Sequence, residues 1–443
     1  MTEPLNSGPI STRIQRLAKQ AEEHRERSFR SINHAIDKEW LREALRLTRK
    51  NGATGVDGED WGAYQVGVEA RLDDLLMRFK TGLYRAPPVK RVHIPKGDGR
   101  TRPIGIPTLE DKVLQRAVTM LMEAIYEQDF LPCSYGFRPG RSAHEAIEAL
   151  YEGVSSMGGG WIVDLDIRDF FGTLDHEHLK SFLDRRVSDG VVRRVTHKWL
   201  TAGVMEAGRL WHPEAGTPQG GVISPLLANV YLHEVLDTWF ARDVQPRLKG
   251  RSFMVRYADD AVLVFAKEDE ARRVLEVLTK RLARFGLELN VDKTRLVRFE
   301  RPAREAGDDD DSGPSSESFD FLGFTHYWGK SRKDRWVVRR KTAKSRLARA
   351  LQRVAQWCRF HRHDRVAEQA AQLRSKMRGH YNYFGVTGNM RSITAYSRRI
   401  ERVWRFWLSR RSQRAITTWM RFRALLEAHP LPAPRLPRSI YHR

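Results

Sequence analysis

Cysteine is nearly missing from this chain: Cys133 and Cys358, far apart in sequence, are the two present in 443 residues. That excludes a disulfide scaffold and any cysteine-rich zinc module, and it fits a reducing compartment. Long apolar runs are missing too. No stretch approaches a membrane span, and "MTEPLNSGPISTRIQ" at the N-terminus holds no apolar signal core. No fixed-period repeat is visible, which removes solenoids and propellers. Acidic residues are scarce in one place only. From Lys330 to Arg443 there are 5 against 30 basic residues, a net of +25, whereas the preceding residues carry a net of −2. A one-sided positive field of this kind suits a polyanion, because each phosphate contact releases condensed counterions. An anionic membrane surface would attract it as well, but without an apolar anchor nucleic acid is the simpler partner.

What is present is a globular composition, 41% hydrophobic with 12 tryptophans, in a chain long enough for two or three domains. Residues 9 to 82 read as helices interrupted at "NGATGVDG". The stretch "PPVKRVHIPKGDGRTRPIGIP" reads as a β-hairpin around Gly97-Asp98-Gly99. Helical spacing returns at 108–130 and again after "CSYGFRPGRS". "WIVDLDI" is a strand, and the loop "EAGTPQGGVISP" leads into an apolar helix. "RSFMVRY" and "AVLVF" are two strands, followed by a helix at 268–285 and a strand near "RLVRF". Residues 301–318 form an acidic Pro/Gly/Ser loop. After one short strand, "FDFLGFTHYW", Arg-rich helices continue to a Pro-punctuated tail. Helices, then mixed strands and helices, then helices alone give an α+β body with an α-helical C-terminal module.

Within "RSFMVRYADDAVLVF", Asp259 and Asp260 interrupt an apolar, β-branched run. Buried charge is costly unless paired, so the pair is a solvated hairpin tip, a buried salt bridge or half of a metal site. Alternation puts Asp164 and Asp166 on one side of their strand, either as a solvated face or as part of the same site. If the two strands are neighbours, Asp166 and Asp259 converge. Two carboxylates without nearby His or Cys suit Mg²⁺ rather than zinc. Two such ions roughly 4 Å apart can clamp the attacking 3′-oxygen and the leaving pyrophosphate of an in-line displacement.

Other segments supply compatible parts, each with a plainer alternative. Lys96 and Arg102 flank the Gly turn of the basic hairpin and can reach a triphosphate, or they are a solvated charged surface. Gln219, in a Gly-rich loop, can donate to a phosphate or sugar oxygen. Phe171 can pack under a ribose and exclude a 2′-hydroxyl, or it is a core aromatic. In the C-terminal quarter, Trp404 and Trp407 share a helix face that reads as core. The arginines around them, Arg402, Arg405, Arg410 and Arg411, read as RNA backbone contacts. Tyr381 and Tyr383 either stack on exposed bases or pin a turn between helices.

The ordered blocks "KRVHIPKGDGRTRPIGIP", "YGFRPGRSAHEAI", "DIRDFFGTLDH", "GTPQGGVISPLLANVYL", "RYADDAVLVF", "GLELNVDKT" and "FDFLGFTH" resemble the reverse transcriptases encoded by bacterial group II introns. "RGHYNYFGVTGN" is similar to the RNA-binding maturase region of that family. The resemblance implies a right-hand polymerase of fingers and palm with an α-helical thumb/maturase module. Its boundaries would be 1–86 for an N-terminal helical extension and the start of the fingers, 87–160 for fingers and 161–329 for palm. Residues 330–427 would be thumb and 428–443 a basic tail.

By the same resemblance Asp166, Asp259 and Asp260 are the catalytic aspartates, with Asp166 and Asp259 the ligands of two Mg²⁺ ions. Lys96, Arg102, Phe171, Gln219 and Lys293 hold the incoming dNTP. Arg378 and His380, with the tyrosines and arginines above, contact RNA. The implied activity is RNA-directed DNA synthesis in the bacterial cytoplasm, with group II intron RNA, target DNA and a template–primer duplex as partners and no membrane. The alternatives are a splicing cofactor without polymerase activity and a reverse transcriptase recruited for host defence. Two departures stand out. Asp169 and Gly172 replace the family's usual Gly and Asp, and the last quarter, with Cys358 its one cysteine, does not supply the paired Cys ligands of the C-terminal nuclease that many relatives carry.

Overall fold

A computed structural model describes residues 8–95, 101–206, 208–211, 216, 220–302, 316–331, 333–412 and 416–438. The chain divides into two compact units. The first comprises Met1–Gly153 with Trp161–Leu296, the second Val154–Gly160 with Val297–Arg443.

The first unit begins with helices α1 (Pro9–Glu23), α2 (Lys38–Arg46), α3 (Trp61–Gln65) and α4 (Val68–Thr81). The expected hairpin follows as β1 (Val89–Pro95) and β2 (Thr101–Ile106), antiparallel with Ile94 opposite Arg102. Helix α5 (Leu109–Tyr126) is buried on nearly every face and runs through the core, so the polar groups it carries inward, Asp111 and Gln115, have to be hydrogen-bonded there. Next come α6 (Ala143–Met157), β3 (Trp161–Leu165), β4 (Ile167–Arg168), α7 (Phe170–Thr173), α8 (His176–Arg186) and α9 (Gly190–Leu200). Strands β5 (Val204–Glu206) and β6 (Arg209–Trp211) extend the hairpin into a sheet of order β2-β1-β5-β6.

Helix α10 (Ser224–Leu232) continues into two π-helical segments, His233–Asp237 and Phe240–Val244. Then follow β7 (Ser252–Tyr257), β8 (Asp260–Phe265), α11 (Glu268–Arg284), β9 (Glu288–Leu289) and β10 (Arg295–Arg298). The second sheet has the order β10-β3-β8-β7, and β4 pairs with β9. Several helix starts are set by short polar side chains that accept the orphan N–H groups of the first turn. Asp37 accepts from Trp40, Thr108 from Asp111, Asp175 from His178, and Asp189 from Val191 and Val192.

The second unit carries a sheet where the sequence suggests one short strand. Residues of "FDFLGFTHYW" form two strands, β11 (Phe319–Phe321) and β12 (Phe324–Lys330), and β13 (Trp336–Thr342) adds a third. Leu322 (φ 47°) and Gly323 (φ 84°) reverse the chain between the first two. The Arg-rich β13 hides its strand character because Arg340 is itself buried, 5% exposed, beside Val338 and Thr342. Helices α12 (Lys344–Phe360), α13 (Val366–Phe384), α14 (Met390–Leu408) and α15 (Trp419–Ala428) complete the unit. They pack around Leu373, Met377, Tyr381, Ile400, Trp404 and Phe422. The proline-containing tail is docked through a backbone bridge of Arg438 to Val386. No described helix is long and apolar enough to cross a membrane.

Candidate active site

The site is built where three strands end together. β3 pairs antiparallel with β8, Leu165 opposite Ala261. The next residue, Asp166, therefore leaves its strand beside the turn that joins β7 to β8. That turn consists of Ala258 and Asp259, with Tyr257 opposite Asp260. Ala258 sits at φ 58°, in the left-handed region that costs most residues about 1–2 kcal/mol.

A buried arginine holds the turn in this shape. Arg256, fully buried, makes a bidentate pair with Asp237 at 2.7 and 2.6 Å. It also donates to Asn229 Oδ1 at 3.0 Å, Ser134 Oγ at 2.7 Å and the Ala258 carbonyl at 2.9 Å. Residues 133–135 run alongside β7, with Arg256 N donating to the Cys133 carbonyl and Tyr135 N to that of Arg256. Gly136 then passes so close that a Cβ there would lie 2.2 Å from Ala258 N. The "YGFR" loop thus braces the hairpin from outside.

Asp166 accepts from Asn290 Nδ2 at 2.9 Å and from Lys293 Nζ at 3.0 and 3.2 Å. The backbone of the 290–294 turn is fixed to the same residue, with Asn290 N donating to the Asp166 carbonyl at 2.9 Å. Asp164 is spent differently: Arg295 pairs with it at 3.1 Å. Burial raises the carboxyl of Asp259 above its ordinary value, with the negative Asp166 adding to the rise and Arg102 and Arg256 opposing it. Asp166, Asp259 and Arg102 therefore share one electrostatic neighbourhood. Asp260, the first residue of β8, is exposed. Phe171 is half-buried, edge-on to Phe170 at 5.4 Å. Lys96 and Gln219 lie outside the described residues.

Among the described residues no group of three or more His, Cys, Asp or Glu side chains forms a complete metal cage. The donor set nonetheless fits Mg²⁺, which is commonly held by one or two carboxylates with substrate phosphates and water. The mutual repulsion and burial that raise Asp259 are what a bound cation would reverse.

A second buried network supports the loop after residue 219. Gln115 Oε1 accepts from Val222 N at 2.7 Å, and Gln115 Nε2 donates to Asp111. Asp111 also accepts from Tyr84 and from Trp199 Nε1. Burial pushes the Asp111 carboxyl up to about 6. Sequence reasoning missed this network, as it missed Asn290 and Arg256. Arg256 did carry a signal: a charge in the same apolar strand run as the twin aspartates.

In the second unit the expected RNA contacts separate into exposed and buried groups. Arg378, Arg402 and Arg410 are exposed, and Arg410 lies 4.2 Å over the Phe406 ring. Arg405 donates to the Thr417 carbonyl and lies over Trp419, while Arg411 donates to the carbonyls of Arg362 and Asp364. These two arginines are structural ties. Tyr381 is fully buried, and His380 is buried and stacked on Tyr396 at 3.7 Å. Neither offers a face to a base, which corrects their assignment as RNA contacts. Burial also pulls His380 down to about 4, so it brings no charge at neutral pH. Tyr383, half-buried, donates to the Leu322 carbonyl at 2.9 Å and pins a turn.

A family model described as reverse transcriptase (RNA-dependent DNA polymerase) matches residues 94–326. Protein YkfC of Escherichia coli (strain K12) is 37% identical over 299 residues, covering 58% of this chain and 76% of that protein. Group II intron-encoded protein LtrA of Lactococcus lactis subsp. cremoris is 39% identical over 169 residues, 38% of this chain but only 28% of LtrA. The putative COX1/OXI3 intron 1 protein of Saccharomyces cerevisiae is 27% identical over 286 residues, 53% of this chain and 34% of that protein. The matched family model spans the braced hairpin, Asp166 and the 290–294 turn alike, and the chain belongs to the reverse transcriptase (RNA-dependent DNA polymerase) family, among the group II intron reverse transcriptases and maturases.

Proposed function

We propose that this chain copies RNA into DNA for a group II intron and binds that intron's RNA to assist its splicing and mobility. The observation that carries the polymerase half is the junction at which Asp166 leaves β3 beside the β7–β8 turn that bears Asp259, a turn locked by a buried arginine. In this reading 1–86 is an N-terminal extension and the start of the fingers, 87–160 the fingers and 161–329 the palm. Residues 330–427 are the thumb and 428–443 the tail.

Asp166 and Asp259 would hold Mg²⁺, which when bound would supply Lewis-acid activation of a 3′-hydroxyl and charge neutralisation for pyrophosphate. Asp260 supports the pair. Arg102, with Lys96 and Gln219, orients the dNTP triphosphate. Phe171 closes the pocket beneath the sugar. Lys293 neutralises Asp166 before substrate arrives, and its ammonium is then within reach to protonate the leaving pyrophosphate. Arg378, Arg402 and Arg410 contact RNA backbone, consistent with the +25 balance beyond residue 330. Target DNA, the template–primer duplex and a bacterial cytoplasmic setting belong to the same proposal.

The test is primer extension on an RNA template with dNTPs and Mg²⁺. Wild type extends and Asp259→Asn does not. A wild type that fails with several primers yet binds a structured RNA tightly would favour the splicing cofactor without polymerase activity.

A further inference from the structure

Helices α8 and α9 border an open cleft of about 330 Å³ on the first unit. Its walls carry His176 and Lys180 from α8 and Arg193, Arg194 and His197 from α9, while Leu183 and Leu200 contribute its apolar lining. The single carboxylate in the lining, Asp184, is taken by Arg193 at 2.7 Å. Lys180 has an exposed Glu177 at 3.7 Å, and among the described residues no carboxylate pairs with Arg194 or His197. Thr196 spends its hydroxyl on the Val192 carbonyl. The lining thus offers cations over an aliphatic base, with no Phe, Tyr, Trp, Asn or Gln to recognise a base. A surface of that kind takes phosphate without reading sequence.

The groove is also tied to the candidate active site. His176 Nε2 donates to the Gly216 carbonyl at 2.5 Å, and Gly216 N donates to the Leu174 carbonyl at 2.9 Å. Gly216 lies against the carbonyls of Phe171 and Gly172, where a Cβ would come within 2.7 Å. One wall of the cavity is therefore continuous with the segment that begins at Asp166.

We propose that the cleft between α8 and α9 is a phosphate site that seats the sugar–phosphate backbone of a single-stranded RNA. The assignment of that strand rests on the reverse transcriptase reading above. Lys180 and Arg194 line the cleft from different helices, and His176 connects it through Gly216 to the segment that begins at Asp166. Free pyrophosphate shares the same chemistry and is the competing occupant.

The test uses the full chain and a 5′-labelled single-stranded RNA, with binding followed by fluorescence anisotropy between 0.05 and 0.3 M KCl. Lys180 and Arg194 are both exposed, so their substitution leaves the core intact. The Lys180→Ala/Arg194→Ala double variant should bind RNA several-fold more weakly at the low-salt end. Its plot of log affinity against log salt should be flatter by about 1.4, at about 0.7 per lost single-strand phosphate contact. Arg194→Lys, which keeps the charge, should retain the wild-type slope when compared alone. An unchanged slope in the double variant overturns the proposal. So does binding of inorganic pyrophosphate that depends on Lys180 and Arg194 while RNA affinity does not. Primer extension on a short annealed template is run alongside, with Asp259→Asn as the inactive control. Failure of extension in wild type reports on the polymerase reading instead and leaves the RNA slope as the measure of this proposal.

Discussion

The exchange of residues at 169 and 172 makes a prediction with a definite sign. Asp169 is held at φ 41° and ψ 44°, a left-handed conformation that Asp tolerates but Gly adopts without cost. Its carboxylate curls back over Gly172, so that a Cβ on residue 172 would lie 2.3 Å from Asp169 Oδ2. The two departures from the family pattern are therefore one structural event. In Gly172→Asp the side chain of Asp169 has to rotate away, which costs about 1 kcal/mol. Two carboxylates then sit side by side and repel by about 1 kcal/mol even in water. Asp169→Gly relieves the backbone but loosens the unfolded chain, leaving a net change within about 1 kcal/mol. The double variant removes both the collision and the repulsion and should return to within about 1 kcal/mol of wild type. The cycle thus contains about 2 kcal/mol of favourable coupling. Urea unfolding midpoints of the four proteins, read alongside their primer extension, measure it. Simple additivity, with the double variant as damaged as Gly172→Asp alone, refutes the steric account.

Three further outcomes follow from the site. Arg256→Met leaves Asp237 buried without its partner and should cost about 3–5 kcal/mol in urea unfolding, while Asp237→Asn/Arg256→Met should recover part of that loss. Asp259→Asn removes a carboxylate that burial disfavours, so it should raise the melting temperature in the absence of Mg²⁺ while abolishing extension; a fall in melting temperature would show that the charge stabilises the fold. Asp111 titrates near 6 when folded against 3.8 as the unperturbed value, so the folded protein binds that proton more tightly than the unfolded chain. Its contribution to stability is largest below pH 3.8 and is lost as pH rises through 6, by about 3 kcal/mol in all. Compared with Asp111→Asn, wild type should therefore gain stability from pH 7.5 to 5, and parallel profiles would contradict the assignment.

Much of this was legible in the sequence because it is local. Turn chemistry between β-rich arms marks the β1–β2 hairpin, and the apolar alternation of "WIVDLDI" marks the strand that ends at Leu165, one residue before Asp166. What was hidden depends on partners distant in sequence. Nothing near Asp164 indicates that Arg295 will occupy it while Asn290 and Lys293 occupy Asp166. The π-helical turns after α10 are invisible because a turn widened by one residue leaves no mark in composition, yet they deliver Asp237 to Arg256. β13 was missed because its buried cation imitates a solvated helix. Tyr381 was the avoidable error: Ala370, Leu373, Met377 and Tyr381 recur at helical spacing and form one buried stripe.

The bracing of the hairpin also fixes when in the life of the chain a catalytic centre can exist. Arg256 joins Ser134 to Asp237, and Asp166 waits for Asn290, Lys293 and Thr294. Synthesis proceeds from the N-terminus, so a nascent chain carries Asp166 for more than a hundred residues before its neighbours are made. Until the segment through Thr294 has emerged, both carboxylates are isolated charges in an unfinished sheet. A reading frame truncated anywhere before that point leaves Asp166 without the side chains that hold it, whatever else of the first unit has been made.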